Sequence, residues 1–182
     1  MSETNISKVG ICGSGIMGSG LAEVAAKAGY TVIVRSRSAA SAQAMITSIE
    51  KGLDKQVSRE KITAEDKAAI LGRLSATDKI SDLADCDLVI ESVVEDLAVK
   101  KALFIELDKA VKPSAILATN TSTLPVVEMA MATGRPDKVC GIHFFNPATA
   151  MPLVEVVRPI TASDETMDAA NAFTAKCGKS GV

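Results

Sequence analysis

Apolar and polar positions along the chain follow two alternating patterns. Short, mostly β-branched apolar runs predict strands at residues 9–12, 31–34, 87–91, 115–118, 139–144 and 153–157. Between them, apolar residues recur at helical spacing and predict helices at about residues 17–28, 39–57, 64–71, 98–111, 126–132 and 165–177. Strands that alternate with helices are typical of βαβ units and a parallel sheet. We therefore expect an α/β fold.

The bulk composition limits the number of domains and excludes several partners. With 182 residues, 47 % of them apolar, the chain is long enough for one domain with a sizeable core. A formal net charge of −2 lacks the basic excess that a nucleic-acid partner requires. No apolar run approaches the roughly 20 residues of a membrane span. The composition thus predicts a cytoplasmic protein that binds neither nucleic acid nor membrane.

The cysteines are widely separated and form no CxxC pair. Such spacing favours reduced thiols over disulfides or a zinc site. We predict no metal site at the four positions, which are Cys12, Cys86, Cys140 and Cys177.

A glycine-rich motif, "GSGIMG" at residues 13–18, joins the first predicted strand to the first predicted helix. Gly13 permits a tight turn, Gly15 lets the backbone approach a pyrophosphate, and Gly18 lets the helix pack closely on the strand. Ile16 and Met17 open the helix, whose N-terminus attracts anions. The motif predicts a Rossmann-type, doubly wound, mainly parallel sheet that spans residues 1–182 and binds a dinucleotide. The alternative is a strand-to-helix turn without a ligand.

The end of the second predicted strand indicates which dinucleotide binds. NAD-binding domains place an acidic residue there, about 20 residues after the glycine loop, to bind the ribose 2′-hydroxyl. Here Ser36 stands at this place between Arg35 and Arg37. A serine can hydrogen-bond a 2′-phosphate, and a guanidinium can pair with it. We predict a preference for NADP(H); the alternative is NAD(H), with both arginines solvated.

The chain contains a single histidine, His143, near the end of a predicted strand. If residues 139–144 and 153–157 form an antiparallel hairpin centred on Thr149, His143 lies directly opposite Glu155 and shares its sheet face. The carboxylate can then fix the histidine tautomer and support general acid/base catalysis. A histidine paired with glutamate for structural reasons is the alternative.

A run of polar residues, "TNTST" at residues 119–123, follows another predicted strand and reaches the same edge of the sheet. Its hydroxyls can bind a substrate oxygen or cap the helix that begins near Pro125. We expect Thr123 to serve as the cap, whereas Ser122 is open to either role.

Four segments of the chain resemble the 3-hydroxyacyl-CoA dehydrogenase family, closest to its short-chain 3-hydroxybutyryl-CoA type. They are "GICGSGIMGSGLAEVAAKAG", "DCDLVIESVVEDLAVKKALFIELD", "ATNTSTLPVVEMAMATGRPDKVCGIHFFNPA" and "LVEVVR". The resemblance extends from about Lys8 onward. It implies reversible hydride transfer between C3 of a (3S)-3-hydroxyacyl-CoA and a nicotinamide, which yields a 3-oxoacyl-CoA.

The resemblance also implies roles for individual residues. His143 matches the catalytic histidine of the family, Glu155 the carboxylate that orients it, and Ser122 the serine that contacts substrate and nicotinamide. Residues that match cofactor-lining positions are Glu95, Lys100, Asn120 and Asn146. The CoA phosphates can approach Lys55, Arg59 or Lys61, but a solvated helix end is the favoured interpretation of these cations.

The chain departs from the family pattern in two ways. Ser36 stands where the family usually has aspartate, which again points to NADP(H). Family members also continue into a helical domain that supplies a catalytic asparagine, covers the acyl chain and forms most of a homodimer contact. That domain is absent from these 182 residues, so we expect poor activity from the chain alone. Two other functions stay open, a non-catalytic dinucleotide-binding module and a dehydrogenase of another 3-hydroxyacyl-CoA or hydroxy acid.

Overall fold

The computed structural model describes residues 5–182, which form one eight-stranded sheet flanked by helices. The strands are β1 (Lys8–Cys12), β2 (Thr31–Arg35), β3 (Leu74–Thr77), β4 (Leu88–Glu91), β5 (Ile116–Thr119), β6 (Val139–Phe144), β7 (Leu153–Val157) and β8 (Ser180–Gly181). The α-helices are α1 (Ile16–Lys27), α2 (Ala39–Ser58), α3 (Ala64–Gly72), α4 (Leu97–Ala110), α5 (Val126–Ala130) and α6 (Asp164–Lys176). Short 3₁₀ helices span Ile80–Leu83 and Pro136–Lys138.

The strands lie in the order β3-β2-β1-β4-β5-β6-β7-β8. All neighbouring strands are parallel except β6 and β7, which form an antiparallel hairpin. Strands β4 and β5 are buried along their whole length, because helices cover both faces of the sheet. This architecture confirms the predicted doubly wound Rossmann-type fold with an antiparallel hairpin near the C-terminus.

Each face of the sheet packs against its own group of helices. On one face, α1, α2 and α6 bury Leu21, Met45 and Phe173 in a single apolar cluster. On the other face, α4 and α5 bury Phe104 and Met129. Because the core on both sides anchors the strands, the loops at their carboxyl ends are held in fixed relative positions.

The β6–β7 hairpin has the predicted register. His143 pairs with Glu155, and Phe144 pairs with Val154. Directly opposed residues of an antiparallel pair point to the same face, so the histidine and the carboxylate meet on one side of the sheet.

Two strands were missed in the sequence. Strand β3 has four residues at the edge of the sheet, and Thr77 alone among them is buried; so short a strand carries no clear alternation. Strand β8 has two exposed residues that pair with β7. The helices α4 and α5 end one and two residues earlier than predicted, at Ala110 and Ala130, a normal uncertainty at helix ends.

Candidate active site

A cavity of about 1100 Å³ lies at the carboxyl ends of β1, β2, β4, β5 and β6. The strand order reverses here, because β1 has β2 on one side and β4 on the other, and open α/β sheets bind ligands at such a point. The predicted site residues that line the cavity are Gly13, Gly15, Ile16, Met17, Arg35, Ser36, Arg37, Glu95, Lys100, Asn120, Ser122, His143 and Asn146. Gly18 and Glu155 lie behind this lining, and Lys61 lies away from it, exposed between α2 and α3.

The three glycines of the loop have different neighbours. Gly13 has a φ of +125°, and a Cβ there would lie 2.3 Å from the carbonyl oxygen of Ser92. A Cβ on Gly18 would lie 2.0 Å from the carbonyl oxygen of Gly13. Both positions therefore require glycine for the loop to fold. A Cβ on Gly15 would meet no protein atom within 4 Å, so the space beside Gly15 is open to a ligand.

The N-terminus of α1 faces this open space and is not capped by the protein. No side chain hydrogen-bonds to its first turn, and the first turn contains no acidic residue. The free N–H groups and the helix dipole favour an anion at this place. The loop thus fits the pyrophosphate of a dinucleotide.

A cluster of serine hydroxyls occupies the end of β2. The Ser36 side chain is buried, at 6 % exposure, and donates to Ser14 Oγ over 2.9 Å. It accepts a hydrogen bond from the Ser41 hydroxyl over 2.7 Å. Ser38 caps α2 by accepting from the Ser41 N–H group. The end of β2 thus carries a group of hydrogen-bonded hydroxyls with no carboxylate among them.

Two arginines flank the serine cluster. Arg35 is half-buried, and its Nε atom has no hydrogen-bond partner among residues 5–182. Arg37 is exposed and lines the cavity. Within the same part of the chain, neither guanidinium forms an ion pair. Their charges are therefore available to an anionic ligand.

The histidine and its carboxylate form a short hydrogen bond. His143 Nδ1 lies 2.7 Å from Glu155 Oε2, and the two side chains are 14 % and 47 % exposed. Because Glu155 occupies Nδ1, the second ring nitrogen, Nε2, is left for a ligand. This arrangement can hold one tautomer and transfer a proton at Nε2.

A buried ion pair joins α4 to the end of β4. Lys100, at 1 % exposure, donates to Glu91 Oε1 over 2.5 Å and lies 3.2 Å from Glu95 Oε2. Burial opposes the ionisation of Glu95, but the hydrogen bond from the Thr121 hydroxyl and the charge of Lys100 outweigh it and lower the pKa of this carboxyl group. The Thr121 hydroxyl also accepts from the Leu124 N–H group.

The loop after β5 joins the other walls of the cavity. Asn120 Oδ1 accepts a hydrogen bond from the Phe144 N–H group over 2.8 Å, which ties the loop to β6. Ser122 is exposed, and its N–H group donates to Glu95. The expectation that Thr123 caps the next helix was wrong: α5 has Pro125 as its N-cap and no side-chain cap. The Thr121 hydroxyl instead accepts the N–H groups of this turn.

Several residues of this site were missed in the sequence, among them Ser14, Ser41, Glu91 and Thr121. Glu91 alone left a detectable pattern, since a carboxylate ends the buried run "LVIE". The contacts of the other three depend on how distant loops meet.

The sequence predicted that the cysteines bind no metal and are reduced. No group of three or more His, Cys, Asp or Glu side chains within residues 5–182 is placed to hold a metal ion. The four cysteines are free, and burial raises the pKa of each thiol to about 12. In the same range, no helix is both long and apolar enough to span a membrane.

Comparisons with known proteins identify a family and related sequences. The family described as 3-hydroxyacyl-CoA dehydrogenase, NAD binding domain, matches residues 8–182. A 3-hydroxybutyryl-CoA dehydrogenase from Bradyrhizobium diazoefficiens is 45 % identical over 174 residues, which cover 96 % of this chain and 59 % of that protein. One from Mycobacterium tuberculosis is 46 % identical over 160 residues, which cover 87 % of this chain and 56 % of that protein.

A solved structure is also similar to this chain. The crystal structure of FadB2 from Mycobacterium tuberculosis superposes with a TM-score of 0.94 at 43 % identity, covering 97 % of this chain and 63 % of that one. The chain thus spans less than two thirds of the length of the relatives it matches. With a family match from residue 8 to residue 182 and identities near 45 %, the chain belongs to the 3-hydroxyacyl-CoA dehydrogenase family and corresponds to its NAD-binding domain.

Proposed function

We propose that this chain is the dinucleotide-binding part of an enzyme that oxidises short-chain (3S)-3-hydroxyacyl-CoA to 3-oxoacyl-CoA, and reverses this reaction, with 3-hydroxybutyryl-CoA and acetoacetyl-CoA as an example pair. One observation carries the proposal. The His143–Glu155 pair and the uncapped glycine loop open into the same cavity. A hydride carrier and a proton-transferring group can therefore act on one substrate carbon and its oxygen.

The histidine handles the proton. In the oxidation direction, the C3–H bond of the substrate breaks with loss of hydride, and the hydroxyl proton passes to His143 Nε2 as the carbonyl forms. Glu155, hydrogen-bonded to Nδ1, stabilises the resulting imidazolium. In the reverse direction His143 returns the proton to the oxygen.

A nicotinamide dinucleotide, when bound, supplies the hydride acceptor or donor. Residues Gly13, Gly15 and Gly18 with the N-terminus of α1 hold its pyrophosphate. Glu95, Lys100, Asn120 and Asn146 form the wall beside the nicotinamide half. Ser122, exposed next to Glu95, orients the substrate oxygen toward His143.

The preferred cofactor is NADP(H), with NAD(H) as the alternative. Ser36 occupies the position of the acid that binds the ribose 2′-hydroxyl in NAD-dependent domains. The hydroxyls of Ser14 and Ser41 extend this polar surface, and the guanidinium groups of Arg35 and Arg37 supply charge. Such a donor set favours a 2′-phosphate over a 2′-hydroxyl.

The remaining parts of the proposal concern the longer protein. The family resemblance supports a further helical domain that completes the acyl-CoA site and forms a homodimer, and it supports a CoA contact for Lys61. We also place the enzyme in the cytoplasm, since four free thiols, three of them buried, suit a reducing compartment.

Turnover tests this function. Val182 is joined to the part of the Bradyrhizobium diazoefficiens relative that lies beyond the matched region, and the oxidation of NADPH or NADH is followed with acetoacetyl-CoA. We expect turnover by the joined protein and little or none by the 182-residue chain. A joined protein that folds, binds dinucleotide and does not reduce acetoacetyl-CoA would overturn the proposal.

A further inference from the structure

Glu91 is a fully buried carboxylate that no proposed step uses. It ends β4, between Cys12 of β1 and Thr119 of β5, and its exposure is 0 %. Its Oε1 atom accepts from the Val93 N–H group over 2.6 Å and from Lys100 Nζ over 2.5 Å. Its Oε2 atom accepts from the Thr119 hydroxyl over 2.8 Å. In all three of these hydrogen bonds the carboxylate is the acceptor.

The carboxylate acts on the cavity through Lys100. Glu91 is not part of the cavity lining, whereas Lys100 and Glu95 are. The Lys100 ammonium lies between the two carboxylates, 2.5 Å from Glu91 and 3.2 Å from Glu95. Glu95 in turn accepts from the N–H group of Ser122. The cluster Glu91–Lys100–Glu95 therefore borders the part of the cavity that contains Ser122.

The charges of this cluster do not cancel. Two carboxylates and one ammonium leave one formal negative charge at the proposed nicotinamide end, partly shielded from water. We infer that Glu91 is a positioning residue that holds Lys100 between the carboxylates and so sets this net charge, which makes the site bind the oxidised dinucleotide more tightly, relative to the reduced one, than a neutral site would.

The physical reason is the charge difference between the two forms of the ligand, and the inference rests on the proposed function. The oxidised nicotinamide ring carries a positive charge, and the reduced ring is neutral. A negative charge that is partly shielded from water attracts the first and has little effect on the second. The cluster thus biases the bound hydride-transfer equilibrium toward the oxidised cofactor.

The test measures two dissociation constants for each variant of the chain, those of NADP⁺ and NADPH. The chain contains no tryptophan, so NADPH fluorescence reports binding directly and NADP⁺ is measured by displacement. E91Q and E95Q each make the cluster neutral. We expect each to raise the ratio of the NADP⁺ constant to the NADPH constant by a factor of about 3 to 10.

A double variant restores the charge without restoring the contacts. E91Q/K100M leaves Glu95 as the single charged member, so the net charge is again negative. Both constants rise because Lys100 lines the cavity, but their ratio returns to within about twofold of the unaltered chain. E91D retains the charge and keeps the ratio as well. If the role of Glu91 is purely structural, the ratio of the two constants should depart from that of the unaltered chain at least as much in the double variant as in E91Q.

A matched control variant and a measurement of folding distinguish the possible outcomes of this test. Glu106 lines the same cavity but lies about 9 Å further along α4 than Lys100, so E106Q removes a charge without changing the ratio. If E91Q does not fold, as judged by circular dichroism, E95Q and E91Q/K100M still carry the test. An equal rise of both constants in E95Q overturns the inference. Failure of the unaltered chain to bind either dinucleotide overturns the proposed function instead.

Discussion

His143 Nδ1 and Glu155 Oε2 lie 2.7 Å apart across the β6–β7 ladder, in a register that places the two residues directly opposite each other. The pair is held by the backbone hydrogen bonds of the hairpin on both sides. The register of the ladder alone therefore brings the two residues to the same face of the sheet.

Loss of either member of the pair should reduce turnover without loss of dinucleotide binding. In the joined protein, we expect H143Q and E155Q to lower kcat by about 10² or more, because proton transfer and its orientation are removed. The NADPH dissociation constant of the same variants in the 182-residue chain should stay within about twofold. Equal losses in kcat and in binding would show that the pair supports the structure of the cavity rather than the proton transfer.

The residue at position 36 should control the choice of dinucleotide. S36D places a carboxylate where Ser14 and Ser41 can donate to it, so the fold should tolerate the change. The new charge repels a 2′-phosphate and accepts from a 2′-hydroxyl. We expect the ratio of NADPH to NADH affinity to fall by about tenfold or more, measured by titration of nicotinamide fluorescence.

A matched variant tests whether position matters more than charge. S38D adds the same charge two residues further on, at the exposed N-cap of α2, where aspartate is also a good cap. It lies outside the cavity lining. A similar change of preference in S38D and S36D would mean that a general charge effect, and not the serine cluster, selects the cofactor.

Substitutions at two glycines of the loop should have different effects, one on dinucleotide binding and the other on folding. A Cβ at Gly15 meets no protein atom, whereas one at Gly18 would lie 2.0 Å from the Gly13 carbonyl oxygen. We expect G15A to keep its free energy of unfolding and to raise the NADPH dissociation constant by about tenfold or more, because the methyl group occupies the space of the pyrophosphate. G18A should lose about 1–3 kcal/mol of unfolding free energy.

Gly52, inside α2 and away from the cavity, provides the control for the loop. G52A should bind NADPH normally and gain about 0.5–1 kcal/mol of unfolding free energy from the better helix propensity of alanine. Unimpaired NADPH binding by G15A would exclude the loop as the pyrophosphate site.

Acid should remove the contribution of Asp87 to stability. Burial opposes ionisation of this carboxyl group, but hydrogen bonds from the Lys112 ammonium and from two backbone N–H groups outweigh it and lower the pKa from 3.8 to about 2. Because the pKa is lowered in the folded state, the contribution is full above the unfolded value of 3.8 and is lost as the pH falls through about 2.

The variant D87N should reveal this contribution. It leaves the N–H groups of Ser7 and Lys8 with a weaker acceptor, and we expect it to lower the free energy of unfolding at neutral pH by about 1–2 kcal/mol. Urea titrations followed by circular dichroism should show the difference shrinking as the pH falls from about 4 to about 2. A difference that is the same at every pH would exclude ionisation of Asp87 as its cause.

The sequence predicted those features that depend on local pattern. The parallel core follows from short buried runs between helices, and the pairing of His143 with Glu155 follows once the hairpin is assumed to be centred on Thr149. Strand β3 could not be found in this way, because its four residues pair at the edge of the sheet after a long helical segment. The Ser14–Ser36 contact and the Glu91–Lys100 pair depend on side chains brought together by tertiary packing, which no local pattern encodes.

The antiparallel hairpin has a further consequence for the order of events during folding. His143 and Glu155 are 12 residues apart in the sequence, so one local loop closure brings them together. The cavity, in contrast, requires the ends of five strands from β1 to β6 to align, and such non-local pairing closes large loops and forms slowly. The proton-transferring pair is thus a locally encoded unit, whereas dinucleotide binding reports that these five strands have assembled.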